Sequence, residues 1–259
     1  MTRAQCGAPD STAGERWALL IEYDGTGFAG WQRQANSPSV QQAIEEALER
    51  LTGEKARILG AGRTDAGVHA LGQVASFLTR RALNERTLTR GLNSYLPPSA
   101  RIRAARRVDA RFNPRRDARM RWYRYRLASG GVAPALERTW RAWTPARLDW
   151  ERVEAALEIF RGRHDFSAFR AAGCDSPRTL LTLKNAALRR RPRGADAGES
   201  GWDAEMDFHC RSFLRNMVRL LAGAAIEAGR GRLSLDTLRQ SLDSGERGEA
   251  HWPPAPASG

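Results

Sequence analysis

One segment of the 259-residue chain stands apart in its residue types: GAGRTDAGVHA, residues 60–70. Gly60, Gly62 and Gly67 permit backbone conformations that a side chain would forbid, and between them sit Arg63 and Asp65. A Gly-rich turn in a basic protein first suggests phosphate binding. The pattern lacks both the Lys-Ser or Lys-Thr of a P-loop and the third Gly of a dinucleotide loop. Asp65 and His69 could be two metal ligands, but no Cys or further His completes a set with them. What is left is one ionisable carboxylate, able to serve as nucleophile or base. An Asp in such a turn can equally be satisfying its own backbone.

Two further segments could carry chemistry. In RWYRYRL, residues 121–127, aromatic residues alternate with Arg as they would along a strand. Tyr123 and Tyr125 could stack on bases while the guanidiniums meet phosphates. The same alternation fits a half-buried sheet with Arg on its wet face. RSFLRNMVRLLAGAAIEAG, residues 211–229, reads as a helix over 213–228. Phe213, Met217, Leu220, Leu221 and Ala224 form its core-facing stripe, and Arg215 and Arg219, four apart, share a face. That pair is either a solvated basic edge or a guanidinium source beside a cleft, its stem lying along the apolar stripe.

These segments need a frame to hold them. Residues 17–23 read as a strand, followed by a turn at Gly25 and Gly27. The clearest helix covers 39–51, with Val40, Ala43, Ile44, Ala47, Leu48 and Leu51 on one face. Ser39 and Gln42 make a capping box at its start, and Gly53 ends it. Short strands are expected at 56–59, 73–77 and 101–108. A helix capped by Asn84 runs to about Tyr95 and stops before Pro97 and Pro98. In the second part, a helix over 148–160 precedes strands at 179–188 and 202–210, with an exposed loop at 189–201. Ser234 caps a last helix. The first 16 residues read as a disordered tail, and the closing HWPPAPASG as neither helix nor strand. The expected domains are 17–115, carrying the Asp loop, and 116–259.

Lys and Arg number 42 against 29 Asp and Glu, a net charge of +13. Only Lys55 and Lys184 are lysines; the rest are arginine. Codon bias accounts for Arg over Lys but not for the excess of bases over acids. That excess implies a polyanionic partner, and nucleic acid is the most abundant one. The core-forming fraction, 41% hydrophobic, excludes global disorder. No apolar run approaches a membrane span and the N-terminus has no secretory apolar core. Cys6, Cys174 and Cys210 lie far apart, which argues against a disulfide scaffold and for a reducing compartment.

Taken together the motifs resemble the tRNA pseudouridine synthase A family. YDGTGFAGWQRQ (23–34) with SVQQAIEEAL (39–48) is similar to that family's opening block, and GAGRTDAGVHALGQV (60–74) to its catalytic block. FNPRRDARMRWYRY (112–125), HDFSAF (164–169) and FLRNMVR (213–219) are similar to three later ones. The matches run from about residue 17 to the mid-240s. The resemblance implies an α+β pseudouridine synthase fold: two similar α/β halves whose antiparallel sheets are joined, with the active-site cleft between them. It implies a cytoplasmic homodimer that needs no metal or cofactor and has no membrane association. Its substrate would be uridine at positions 38, 39 and 40 of the tRNA anticodon stem-loop, which has to be flipped out of its stack. Asp65 falls where the family has its catalytic aspartate, and Tyr123 where it has an active-site tyrosine. Arg219 falls where it has an arginine paired with that aspartate, and Arg63 would contact RNA or the flipped nucleotide. Two departures stand out. Asn113-Pro114 and Arg116-Asp117 differ from the pattern in the tyrosine block. The family also continues past a segment like PPAPASG into a strand of the type Gly-Leu-x-Leu-x-x-Val-x-Tyr, whereas this sequence ends at Gly259, so that last strand is expected to be missing. The competing classes are an RNA-binding module that kept the fold and lost catalysis, and a basic nucleic-acid chaperone. Asp65 together with Tyr123 and Arg219 favours the enzyme.

Overall fold

Trp17, Leu19, Ile21 and Tyr23 are buried in alternation with more exposed neighbours, and this period of two builds the strand β1, Glu15–Tyr23. In the computed structural model, residues 14–174, 176–193 and 201–257 are described. They divide into two compact units, one running to Asp117 and the other from Ala118. Most of the expected N-terminal tail lies outside the described residues; Glu15 and Arg16, read as its end, already belong to β1.

In the first unit α1 (Val40–Thr52) follows, then β2 (Leu59–Gly60), β3 (Ala70–Thr79), α2 (Glu85–Tyr95), β4 (Ala100–Arg107) and the single turn α3 (Pro114–Asp117). The sheet order is β2-β3-β1-β4, with every pairing antiparallel. Val40, Ile44, Ala47 and Leu48 of α1 join Leu88 and Leu92 of α2 in one core with Trp17, Ile21, Tyr23 and Phe77. Ser39 caps α1 by accepting from Gln42 N at 3.2 Å, and Gly53 closes it in the left-handed region at φ 73°. The expected capping box is only half made. Gln42 Nε2 donates along the helix to Glu46 Oε1 at 2.9 Å, a partner one turn on that draws its amide away from the cap. The strand read at 56–59 is shorter and later than expected, at Leu59–Gly60.

In the second unit the elements are β5 (Arg121–Ser129), β6 (Ala142–Thr144), α4 (Trp150–Phe160), β7 (Gly162–Asp165), β8 (Leu180–Arg193), β9 (Gly201–Cys210), α5 (Met217–Gly229) and α6 (Leu235–Ser244). The sheet order is β6-β5-β9-β8-β7; only β5 and β6 run parallel. Three differences from the sequence reading have physical causes. First, β8 runs on through Arg193 into the segment read as loop, of which 194–200 lie outside the described residues. Arg189 and Arg191 hold that extension by ion pairs to Asp207 (2.6 Å) and Asp203 (3.4 Å) of β9, doing what apolar residues do in a buried strand. Second, α5 starts at Met217 and not at 213, because Asn216 adopts a left-handed backbone, φ 59°, that a helix cannot continue through. Arg215 therefore precedes the helix and shares no face with Arg219. Third, α5 is buried nearly all round and carries no narrow stripe: Met217 and every residue from Leu220 to Gly229 are buried.

Candidate active site

The loop 61–69 joins β2 to β3 and is held by the backbone that follows β1. Trp31 N donates to Thr64 O at 3.0 Å, Gly67 N to Phe28 O at 3.4 Å and Ala61 N to Val74 O at 2.8 Å. The hydroxyls of Tyr23 and Thr64 are 2.8 Å apart, and Gln73 Nε2 donates to Gly62 O at 2.8 Å. These contacts require close approach of two chain segments. A Cβ at Gly25 would lie 2.1 Å from Val68 O, and one at Gly30 2.6 Å from Thr64 O. Gly67 has the positive φ expected of it, 77°, whereas Gly60 does not; there the side chain is excluded by the Trp31 ring, 2.6 Å from a Cβ. Asp65 follows Thr64 directly, half-buried, its carbonyl accepting from Val68 N at 3.2 Å, while Arg63 is exposed.

A buried polar cluster on α1 fixes the supporting segment. Glu45, 7% exposed, accepts from Gln41 Nε2 (2.9 Å), from Ile58 N (3.1 Å) and from Arg33 Nη1 (3.1 Å). Gln41 Oε1 accepts in turn from Arg33 N and Gln32 Nε2. One helix thus ties down both the 24–33 segment and the approach to β2, the two sides of the loop. His69 serves the same end. Its Nδ1 lies 3.1 Å from Gly25 N and 3.1 Å from Asp24 Oδ1, so it either accepts from the amide or donates to the carboxylate. Burial works against the Asp24 charge. Hydrogen bonds from the Thr26 hydroxyl and amide, with His69 alongside, nevertheless hold its carboxyl below the usual aspartate range.

Tyr123 and Arg219 belong to the second unit. Tyr123 is half-buried on β5, with the Phe213 ring edge-on at 5.0 Å. Tyr125, two residues on and on the same face, is 2% exposed, and its hydroxyl has no hydrogen-bond partner among the described residues. Burial pushes its phenol well up, against the pull of the nearby Arg219 charge, so Tyr125 stays neutral and is a poor base. Arg219, half-buried on α5, donates from Nε to Ala255 O at 2.7 Å.

The arginines of RWYRYRL do something other than wait for phosphate. On the opposite face of β5, Arg124 pairs with Asp207 (2.8 Å) and Glu205 (3.1 Å), and Arg126 with Glu205 (3.3 Å). With Arg189 and Arg191 of β8 they make a ladder in which acidic β9 lies between two basic strands. Burial alone would raise the Asp207 pKa; hydrogen bonds from Arg124 and Trp122 and the charges of Arg124 and Arg189 hold it down instead. The half-buried sheet with a wet Arg face is what forms here.

Sequence reasoning did not single out Ala255, the Glu45 cluster or the His69 contacts. Glu45 could have been found as a charged residue next to the apolar face of α1, at Ile44. Ala255 carries no signal, because its contact is made by backbone.

A sequence profile described as tRNA pseudouridine synthase matches residues 19–115 and 156–259. The chain belongs to the tRNA pseudouridine synthase family. It is 41% identical over 234 residues to tRNA pseudouridine synthase A of Pelobacter propionicus, covering 90% of this chain and 91% of that one. It is 40% identical to the Myxococcus xanthus tRNA pseudouridine synthase A, over 94% and 89% of the two chains. The Methylobacterium nodulans tRNA pseudouridine synthase A is 42% identical, over 94% and 92%. As a tRNA pseudouridine synthase the protein is an isomerase, and both segments that carry Asp65 and Arg219 lie within the profile match. No helix among the described residues is long and apolar enough to cross a membrane.

Proposed function

We propose that this synthase converts uridine to pseudouridine at positions 38, 39 and 40 of the tRNA anticodon stem-loop, as a cytoplasmic homodimer without metal or cofactor. The two sheets would join, leaving the active-site cleft between the halves. The observation that carries the reading is the rigidity of the Asp65 loop, where the residues before and after Asp65 are fixed by hydrogen bonds to 28–31. A carboxylate presented from so constrained a turn loses little entropy on reaching the reacting geometry.

The reaction breaks the bond from ribose C1′ to uracil N1 and makes one from C1′ to C5. The base turns over, N1 gains a proton and C5 loses one, so no atom is added and no electron carrier is required. Asp65 attacks as nucleophile or removes a ribose proton as base. A guanidinium partner, here Arg219, complements the carboxylate's charge and orients it. Tyr123 stacks on the uracil and accepts or relays the C5 proton. Arg63, exposed beside Asp65, contacts the RNA or the flipped nucleotide. Flipping the base costs a few kcal/mol, which phosphate contacts from the arginine-rich surface offset.

The deciding experiment is tritium release from tRNA labelled at uridine C5. Asp65→Asn keeps the side-chain shape but supplies neither nucleophile nor base, so release is expected to vanish while tRNA binding persists. Substantial turnover by that variant would end the assignment.

A further inference from the structure

Residues 251–257 form neither helix nor strand, yet they are firmly held. Trp252 is 1% exposed and stacks on Phe169, with ring centroids 5.2 Å apart and planes 24° apart. The Arg247 guanidinium lies 5.3 Å from the Trp252 ring centroid, and itself donates to Ala168 O and, at 3.2 Å, to Arg170 O. From this anchor the backbone crosses α5 at Gly223, where a Cβ would sit 2.0 Å from Pro253 O. It then reaches Arg219. Ala255 N donates to Arg219 O at 2.8 Å, and Ala255 O accepts from Arg219 Nε at 2.7 Å. Ala255 is 4% exposed, so this exchange is shielded from water.

A guanidinium is flat and offers its five N–H groups in fixed directions. With Nε committed to Ala255 O, its plane and heading are set. The fork it can present to a carboxylate is then the end-on one made by Nη1 and Nη2, not the side-on one that uses Nε. We propose that residues 251–257 are a positioning strap: anchored by Trp252 and seated at Gly223, they aim Arg219 at the catalytic carboxylate through the Ala255 carbonyl. This rests on the reading of Arg219 as the partner of Asp65. Neither Trp252 nor Ala255 touches the substrate; both act through Arg219.

Gly223→Ala tests the strap. The added methyl forces Pro253 away, while Ala in place of Gly in a helix favours α5 itself. Trp252→Leu, which keeps an apolar side chain and gives up the ring stack, is the second variant should the first fold poorly. Single-turnover rate, tRNA Kd and thermal melting are measured for each, beside Asp65→Asn. The expected result is a rate lowered about ten- to hundredfold, as for a misaimed catalytic group, with Kd changed less than about twofold. The same substitution in an Arg219→Lys background, which has no Nε to aim, is expected to cost less than about twofold more. Full activity of both strap variants beside an inactive Asp65→Asn would overturn the strap alone. So would an equal loss in the parent protein and in the Arg219→Lys background, which would mark the strap as merely structural. An active Asp65→Asn would overturn the site reading, and the strap's role with it.

Discussion

Asp207 is only 5% exposed and still charged, because Arg124 and Arg189 reach it from the strands on either side. Its folded-state pKa lies below the unfolded value. The ladder's contribution is therefore complete above the ordinary aspartate value, about 4, and is lost as pH falls through the folded value. Asp207→Asn is expected to cost about 1–3 kcal/mol at pH 7, the penalty for leaving partly buried donors with a weaker partner. In denaturant titrations the gap from the parent protein should narrow toward zero as pH drops below the lowered folded-state value. A gap that is the same at both ends would mean that the ion pairs stabilise nothing. At this scale the sequence was legible where chemistry is carried by side-chain type. Asp65, Tyr123 and Arg219 stand out as candidates through the motifs around them, and the roles proposed for them rest on the family resemblance of those motifs. Ala255 could not be, since its contribution is a carbonyl that every residue owns.

Elements whose apolar residues repeat were readable to within a residue or two. Val40, Ile44, Ala47 and Leu48 share one helical face, and α1 begins and ends beside the expected Ser39 and Gly53 caps. Where burial is complete or charge replaces apolarity, the period disappears. In α5 the small residues Ala222, Gly223, Ala225 and Ala228 are buried too and hide the full width of its buried surface. Nothing in the sequence marks the left-handed Asn216 that delays its start from Phe213 to Met217, and at the end of β8 the paired arginines read as loop. β6 and α3, three and four residues long, are too short to show any period. The half-made cap on α1 leads to a paired prediction. Ser39→Ala should cost about 1 kcal/mol, the usual worth of an N-cap hydroxyl. Gln42→Ala should change stability by less than about 0.5 kcal/mol, since Gln42 serves only an exposed pair with Glu46. Equal losses in urea titrations of the two variants would mean that the box closes after all.

For the whole molecule, a net charge of +13 predicts tRNA affinity that falls steeply with salt. The ladder sharpens this, because its arginines are already paired. Arg189→Gln should leave the slope of log Kd against log salt unchanged, while Arg63→Gln should lower it by about 1, the share of a single phosphate contact. Filter binding at a series of salt concentrations separates the two. The ladder also joins segments far apart along the chain, since Arg124 faces Asp207 across β5 and β9. That has a consequence for the order in which the protein can be made. Everything in the first unit's sheet is on hand once Arg107 has left the ribosome, so this unit can fold early. The strand β5 has to wait, unpartnered along one edge, until β9 emerges some 80 residues later, by then an aggregation-prone edge in need of cover. Nascent chains stalled soon after α4 should accordingly resist protease across the first unit and be cut freely around β5. Chains stalled beyond α6 should be protected in both.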